Sequence, residues 1–185
     1  MNPKLNRNTS DGFIKNSSTV ISDQNRNIEI VDFDAKYADD ILDIQTECGL
    51  SFWSKSDYLG EIERADTLFK IVRTTNEKII GFALVRLLIG NSNTSFGSSE
   101  ILNIAVRNSL QNKGIGQMIF NKILRELESK NIEEIWLEVR QSNSNAIKFY
   151  QKNGFDFQFE RKNYYTNPAE SACVFRRLLN RKNNS

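Results

Sequence analysis

Apolar residues along this chain change rhythm from every second position to every third or fourth, and the changes predict an order of elements. Polar residues dominate through residue 26, and alternation first appears in NIEIVDF, Asn27 to Phe33, where Ile28, Ile30 and Val31 suggest a strand. Helical spacing runs from about Ala35 to Thr46, with Tyr37, Ile41, Leu42 and Ile44 as the stripe, and a second helix opens near Ser54. TLFKIVR and KIIGFALVRLLIG read as a hairpin around TTNEK, NSNTSFGSS as a loop, and EILNIAV as the next strand. From about Gly114 to Lys130, Ile115, Ile119, Leu124 and Leu127 fall near one face while Lys122, Arg125 and Glu128 stay polar, which predicts a long helix lying on the sheet. IEEIWLEV is a further strand, NAIKFYQKN a helix stopped by Asn153-Gly154, and FDFQFER and ACVFRRLL two closing strands. The order is α+β: an antiparallel start, one long crossover helix and an antiparallel end.

Composition narrows the chemistry. The 185 residues, 39% of them apolar, suit one domain, placed at 27–180. Residues 1–26 read as a disordered polar leader, because they bury too little to offset their ordering entropy, and 181–185 as a polar tail. A transit peptide is the competing reading of the leader, with Asp11 and Asp23 against it. A net charge of +2 sets up no overall field towards nucleic acid or membrane. The longest apolar run, Ile79 to Gly90, is broken by Arg86 and too short to span a bilayer. There is no histidine, so Ser-His and Cys-His dyads and His-containing metal sites are excluded, and proton transfer falls to carboxylates, Tyr, Lys, Cys or water. Cys48 and Cys173 form no C-x-x-C pair and are expected as buried, reduced thiols in a cytoplasmic protein. Arg176, Arg177, Arg181 and Lys182 read as a solvated basic end.

Two stretches carry candidate chemistry. RNSLQNKGIGQM, Arg107 to Met118, joins a strand to a helix opening on two glycines, where unpartnered first-turn amides and the helix dipole suit a phosphate or pyrophosphate. Lys113 adds charge, and Gly114 and Gly116 permit close approach, although an ordinary helix-start turn has the same spacing. In IWLEVR, Ile135, Leu137 and Val139 share one face of a strand, and Trp136, Glu138 and Arg140 share the other. Glu138 is therefore either part of a wet sheet face or a carboxylate placed to take a proton. Tyr150 is either a helix-face aromatic or an acid, and Asn143 fits a helix cap.

QNKGIG after LNIAV, with WLEVRQSN, AIKFY, the GF at Gly154-Phe155 and RKNYY following in order, resembles the GNAT superfamily of N-acetyltransferases, and within it the RimI family of ribosomal-protein alanine N-acetyltransferases. FWS, Phe52 to Ser54, is a weaker echo, and the resemblance spans about 28 to 178. Arg107-Asn108 stands where that family has Asp-Pro, Phe52 where it has proline, and Pro168 lies later than the proline after NYY. The resemblance implies a GNAT fold: a mixed, mostly antiparallel sheet with splayed central strands, flanked by helices. It implies acetyl-CoA as co-substrate and no metal, with cofactor contacts from Ile104, Ala105 and Val106 on the strand and from Gln111, Asn112, Lys113, Gly114, Ile115, Gly116 and Gln117 around the loop. Asn143 and Tyr150 complete that set. Glu138 becomes the general base, Tyr150 the general acid, and Tyr164 and Tyr165 a border of the acceptor groove. The acceptor implied is a protein N-terminus, possibly of a small-subunit ribosomal protein, with peptides beginning Ala-Arg-Tyr favoured. The protein is expected as a monomer or weak dimer, with no membrane and no direct nucleic-acid partner. Acetylation of a small amine, a polyamine or antibiotic, and a non-catalytic acyl-CoA-binding module remain the alternatives.

Overall fold

The computed structural model describes residues 28–88 and 97–179, so the leader, the tail, Arg181 and Lys182 lie outside the described residues. Four helices are described: α1 (Ala38–Glu47), α2 (Lys55–Ile62), α3 (Ile115–Ser129) and α4 (Ser144–Lys152). One 3-10 turn, Ala35–Tyr37, leads into α1, and a second, Asn108–Leu110, lies in the loop before α3. Local chemistry starts these helices where the sequence suggests. Ser54 and Asp57 form a reciprocal capping box at α2, and the Asn143 side chain accepts from the Ala146 amide, 3.1 Å away, at α4. Gly154, at φ +79, follows the end of α4.

The strands are β1 (Ile28–Asp32), β2 (Thr67–Thr74), β3 (Ile79–Leu88), β4 (Gly97–Val106), β5 (Ile132–Arg140), β6 (Asp156–Thr166) and β7 (Ala169–Leu178). They form one sheet in the order β1-β2-β3-β4-β5-β7-β6. Every pairing is antiparallel except β4 with β5, the pair that α3 connects. Three readings are corrected. β4 begins at Gly97, taking in the last residues assigned to the preceding loop; β6 runs to Thr166 rather than stopping at Arg161; and β7 starts at Ala169. The β6–β7 hairpin is longer because Tyr165 and Thr166 pair with Glu170 and Ala169, a register that residue types alone do not reveal.

β3 is apolar almost throughout because both its faces are covered. Ala83 and Val85 meet α3, whereas Phe82 and Leu84 meet Ile41, Ile44 and Tyr58 of α1 and α2. On α3 the buried stripe is Ile115, Ile119, Phe120, Ile123 and Leu127; Leu124 is only partly buried. Beyond β4 the covering changes. Ile135, Leu137 and Val139 of β5 enter the α3 and α4 core, while Trp136, Glu138 and Arg140 on the reverse face are only partly buried. Among the described residues no helix is long and apolar enough to cross a membrane.

Candidate active site

β4 and β5 pair from Gly97↔Ile132 to Ile101↔Leu137 and then part. A bulge in the β3–β4 ladder, between Leu84↔Asn103 and Val85↔Ile101, lies at the point of parting and bends β4 away. The Arg107 amide donates to Ile80 of β3, so by strand alternation the Ala105 amide also faces β3 and those of Ile104 and Val106 face the gap. The gap holds two adjoining cavities of about 130 and 210 Å³, which share Cys48, Leu50, Ile104, Asn143, Ala146 and Tyr150 as walls.

The larger cavity ends at the glycine loop, with Ala105, Val106, Gln111, Asn112 and Gly116 along it. Gly114, φ +83, precedes α3 as its N-cap and offers no side-chain cap, so the first-turn amides have no partner inside the helix. Asn112 is also left-handed, at φ +59. A Cβ built on Gly116 would meet nothing closer than Val106 Cγ2 at 4.0 Å, and no positive φ requires a glycine there. Neither packing nor backbone explains that glycine; an anion resting on the helix end does. The cradle therefore fits a pyrophosphate, and acetyl-CoA is the group it would hold.

The structure divides the loop residues named from the sequence. The Gln111 side-chain nitrogen donates to the Val106 carbonyl at 3.0 Å and to Asn108 Oδ1 at 2.8 Å, and Lys113 Nζ donates to the Ser109 carbonyl at 2.9 Å. Ile115 is buried in the core, and Gln117 exchanges hydrogen bonds with Asn153 at 2.7 and 3.2 Å. Ile115 thus faces the loop with its backbone amide alone, and the Gln117 side chain is engaged by Asn153. Sequence reasoning missed what braces the loop. Glu47, at the end of α1, accepts from the Asn108 amide at 2.6 Å and from Arg107 at 3.0 Å, across a separation of 60 residues or more. Cys48 is half buried rather than fully so, and its thiol donates to the Val106 carbonyl at 3.3 Å. Burial pushes that thiol up, with Glu47 adding to the shift.

The smaller cavity is walled by Glu138, Arg140, Trp53 and Tyr165. Glu138 is paired with Arg161 of β6, which also stacks 4.3 Å from the Tyr164 ring centre. Hydrogen bonding to Glu138 first, and then burial, pushes Tyr164 up to about 12. Arg140 lies 4.1 Å from the Tyr165 ring centre and donates to the Asn167 carbonyl at 3.0 Å, which fixes the β6–β7 turn against β5. Glu100, opposite Trp136, has its carboxyl raised by burial and then by Glu138. Tyr150 sits where the cavities meet, and burial holds its phenol well above the ordinary tyrosine value, so it stays protonated. The basic end differs from the solvated reading: Arg176 pairs with Glu134 at 2.6 Å, and Arg177 donates to the Asn153 carbonyl at 2.8 Å.

With this geometry stand the following similarities. Residues 38–155 match the acetyltransferase (GNAT) family model. The [ribosomal protein bS18]-alanine N-acetyltransferase of Haemophilus influenzae is 32% identical over 150 residues, covering 80% of this chain and 92% of that protein. Its Escherichia coli K12 counterpart is 29% identical over 124 residues, covering 66% and 78%. The crystal structure of the ribosomal-protein-S18-alanine N-acetyltransferase from Escherichia coli superposes with a TM-score of 0.69 at 25% identity, covering 85% of this chain and 99% of that one. Arabidopsis thaliana Naa50, in complex with the bisubstrate analogue CoA-Ac-MVNAL, shares the fold at a TM-score of 0.70 and 24% identity, covering 82% and 98%.

Proposed function

The chain belongs to the acetyltransferase (GNAT) family and is an acetyl-CoA-dependent N-acetyltransferase; within that family we propose that its acceptor is the α-amine of a protein N-terminus beginning with alanine, that of a ribosomal protein in the cytoplasm. The observation that carries this reading is that Glu138 and Tyr150, from different elements, line the same cavity in the gap between β4 and β5. When bound, acetyl-CoA supplies an activated acyl group. The amides at Gly114 and Gly116 would hold its pyrophosphate, and Tyr150 would lie on the side of its thioester.

In this reading the amine enters from the Trp53 and Tyr165 side. Freeing a neutral α-amine of pKa about 8 costs only about 1.4 kcal/mol at pH 7, against about 4.6 for a lysine side chain near 10.4. Arg161 takes one oxygen of Glu138, and the remaining lone pairs accept the amine's proton through a water. The Ile104 or Val106 amide, on the open edge of β4, stabilises negative charge developing on the acyl oxygen. Tyr150 donates to the departing sulfur. Its raised pKa against about 8.5 for a thiol makes full proton transfer uphill, so its part is a hydrogen bond formed as charge builds there. The test is the purified protein with acetyl-CoA and peptides beginning Ala-Arg-Tyr, read by fragment mass spectrometry. Acetyl on the α-amine is expected. Turnover of polyamines with none of peptides would replace the proposal with small-amine chemistry.

A further inference from the structure

A groove of about 490 Å³ runs along α2 beside the cleft's smaller cavity, with Phe52, Trp53, Ser56 and Gly60 among its walls. Two of these residues have no explanation in the fold. Phe52 is 85% exposed. Gly60 lies within α2, where glycine is unfavourable relative to most residues, yet a Cβ there would meet nothing within 4 Å and no positive φ calls for glycine. An apolar ring left in water and a bare point on a helix, side by side, are what a chain lying across α2 requires. Trp53 joins the groove to the cleft, because it lines both the groove and the cavity that holds Glu138. Its amide and carbonyl are both held by the Gln45 side chain, at 3.0 and 3.1 Å, so the doorway is fixed.

We propose that this groove takes the acceptor polypeptide downstream of its reactive amine, with an apolar side chain resting on Phe52; the proposal builds on the N-terminal acceptor reading above. The groove's charges point to apolar recognition. Asp57 is spent on the α2 cap, and Glu61 accepts from Arg86 and Thr67 and lies 3.8 Å from Arg64. Reach is sufficient. An extended chain spans at most about 3.3–3.6 Å per residue, so a tripeptide ends within roughly 11 Å of its amine while an octapeptide reaches roughly 27 Å. The octapeptide is thus more than twice as long as α2, whose eight residues at about 1.5 Å each span roughly 12 Å.

Steady-state kinetics with two acceptors test it: Ala-Arg-Tyr, and an octapeptide with the same start followed by residues that include leucine and phenylalanine. In the parent the octapeptide KM should be at least tenfold lower with kcat alike. Phe52→Ala and Gly60→Leu should each remove most of that advantage and leave tripeptide kinetics unchanged. Gly60→Leu should also keep or raise the melting temperature, which separates an occupied groove from a damaged helix. Equal KM values for the two peptides in the parent, or an advantage that survives both substitutions, would overturn this inference while leaving the functional reading intact. Absence of turnover with either peptide would overturn both.

Discussion

On the β4 side of the cleft the chain presents backbone: the open edge at Ile104 and Val106, an uncapped helix start, and glycines at 114 and 116. On the β5 side it presents side chains: Glu138 tied to Arg161 and Tyr164, and Arg140 stacked on Tyr165. Covering differs in the same direction, since β2 to β4 are packed on both faces while β5 leaves its Glu138 face without a helix. Backbone amides suit a ligand whose phosphates never vary, and they demand that nothing protrude. Side chains suit a ligand whose identity must be chosen, and they tolerate replacement at a cost in rate. The two walls should therefore fail differently when altered.

The largest effect belongs to the backbone wall. Gly116→Glu should abolish acetyl-CoA binding in calorimetry while the protein stays folded, because the space its side chain enters is empty of protein. Unchanged affinity in that variant would erase the distinction between the walls. Next come the side-chain groups: Glu138→Gln and Tyr150→Phe should each lower kcat by about 10²-fold or more with acetyl-CoA affinity nearly kept. If the loss appears instead in acetyl-CoA affinity, the reaction is not organised from this wall. Comparable in size is the choice of amine. A peptide carrying both an α-amine and an internal lysine should be acetylated at the α-amine by roughly 10² at pH 7 from the pKa gap alone.

The smallest effect compares the two halves of the sheet through their tyrosines. Burial raises Tyr58 in the doubly covered half, and the same cause raises Tyr150. A group whose folded value lies above its unfolded one contributes stability that is whole below the unfolded value, about 10, and is lost as pH climbs from there towards the folded value. Melting temperature should thus hold to about pH 10 and fall above it. Tyr58→Phe should soften that alkaline fall, and an alkaline limb of the same depth in the variant would remove Tyr58 from the explanation.

How far the site could be read in advance follows the same division. A cradle made of main chain needs glycine at a strand-to-helix turn, and Gly114 and Gly116 sit within three residues of each other in the chain. The alternation that turns Glu138 away from Ile135, Leu137 and Val139 is equally local. What stayed hidden lies across long separations. Arg161 meets Glu138 over 23 residues, through β7, and Glu47 meets Arg107 over 60. Such pairs depend on register, and the register of the β6–β7 hairpin shifts twice, between Phe157 and Phe159 and between Arg161 and Tyr165. A bulge moves every later side chain by one place without leaving a mark in composition. The Arg107-Asn108 departure from the family pattern acquires its reason only here, as the partner of Glu47.

The position of β7 has a consequence for the making of the protein. It is the last described strand in the chain, yet it lies between β5 and β6 and pairs with both, along Glu134 to Arg140 on one side. A nascent chain that has emerged only as far as Thr166 has a glycine loop and the strand that supports it, but β6 has no neighbour to join and Arg161 has no route to Glu138. The wall that carries Glu138 is therefore completed only once β7 has been threaded between β5 and β6, which brings Arg161 to its partner.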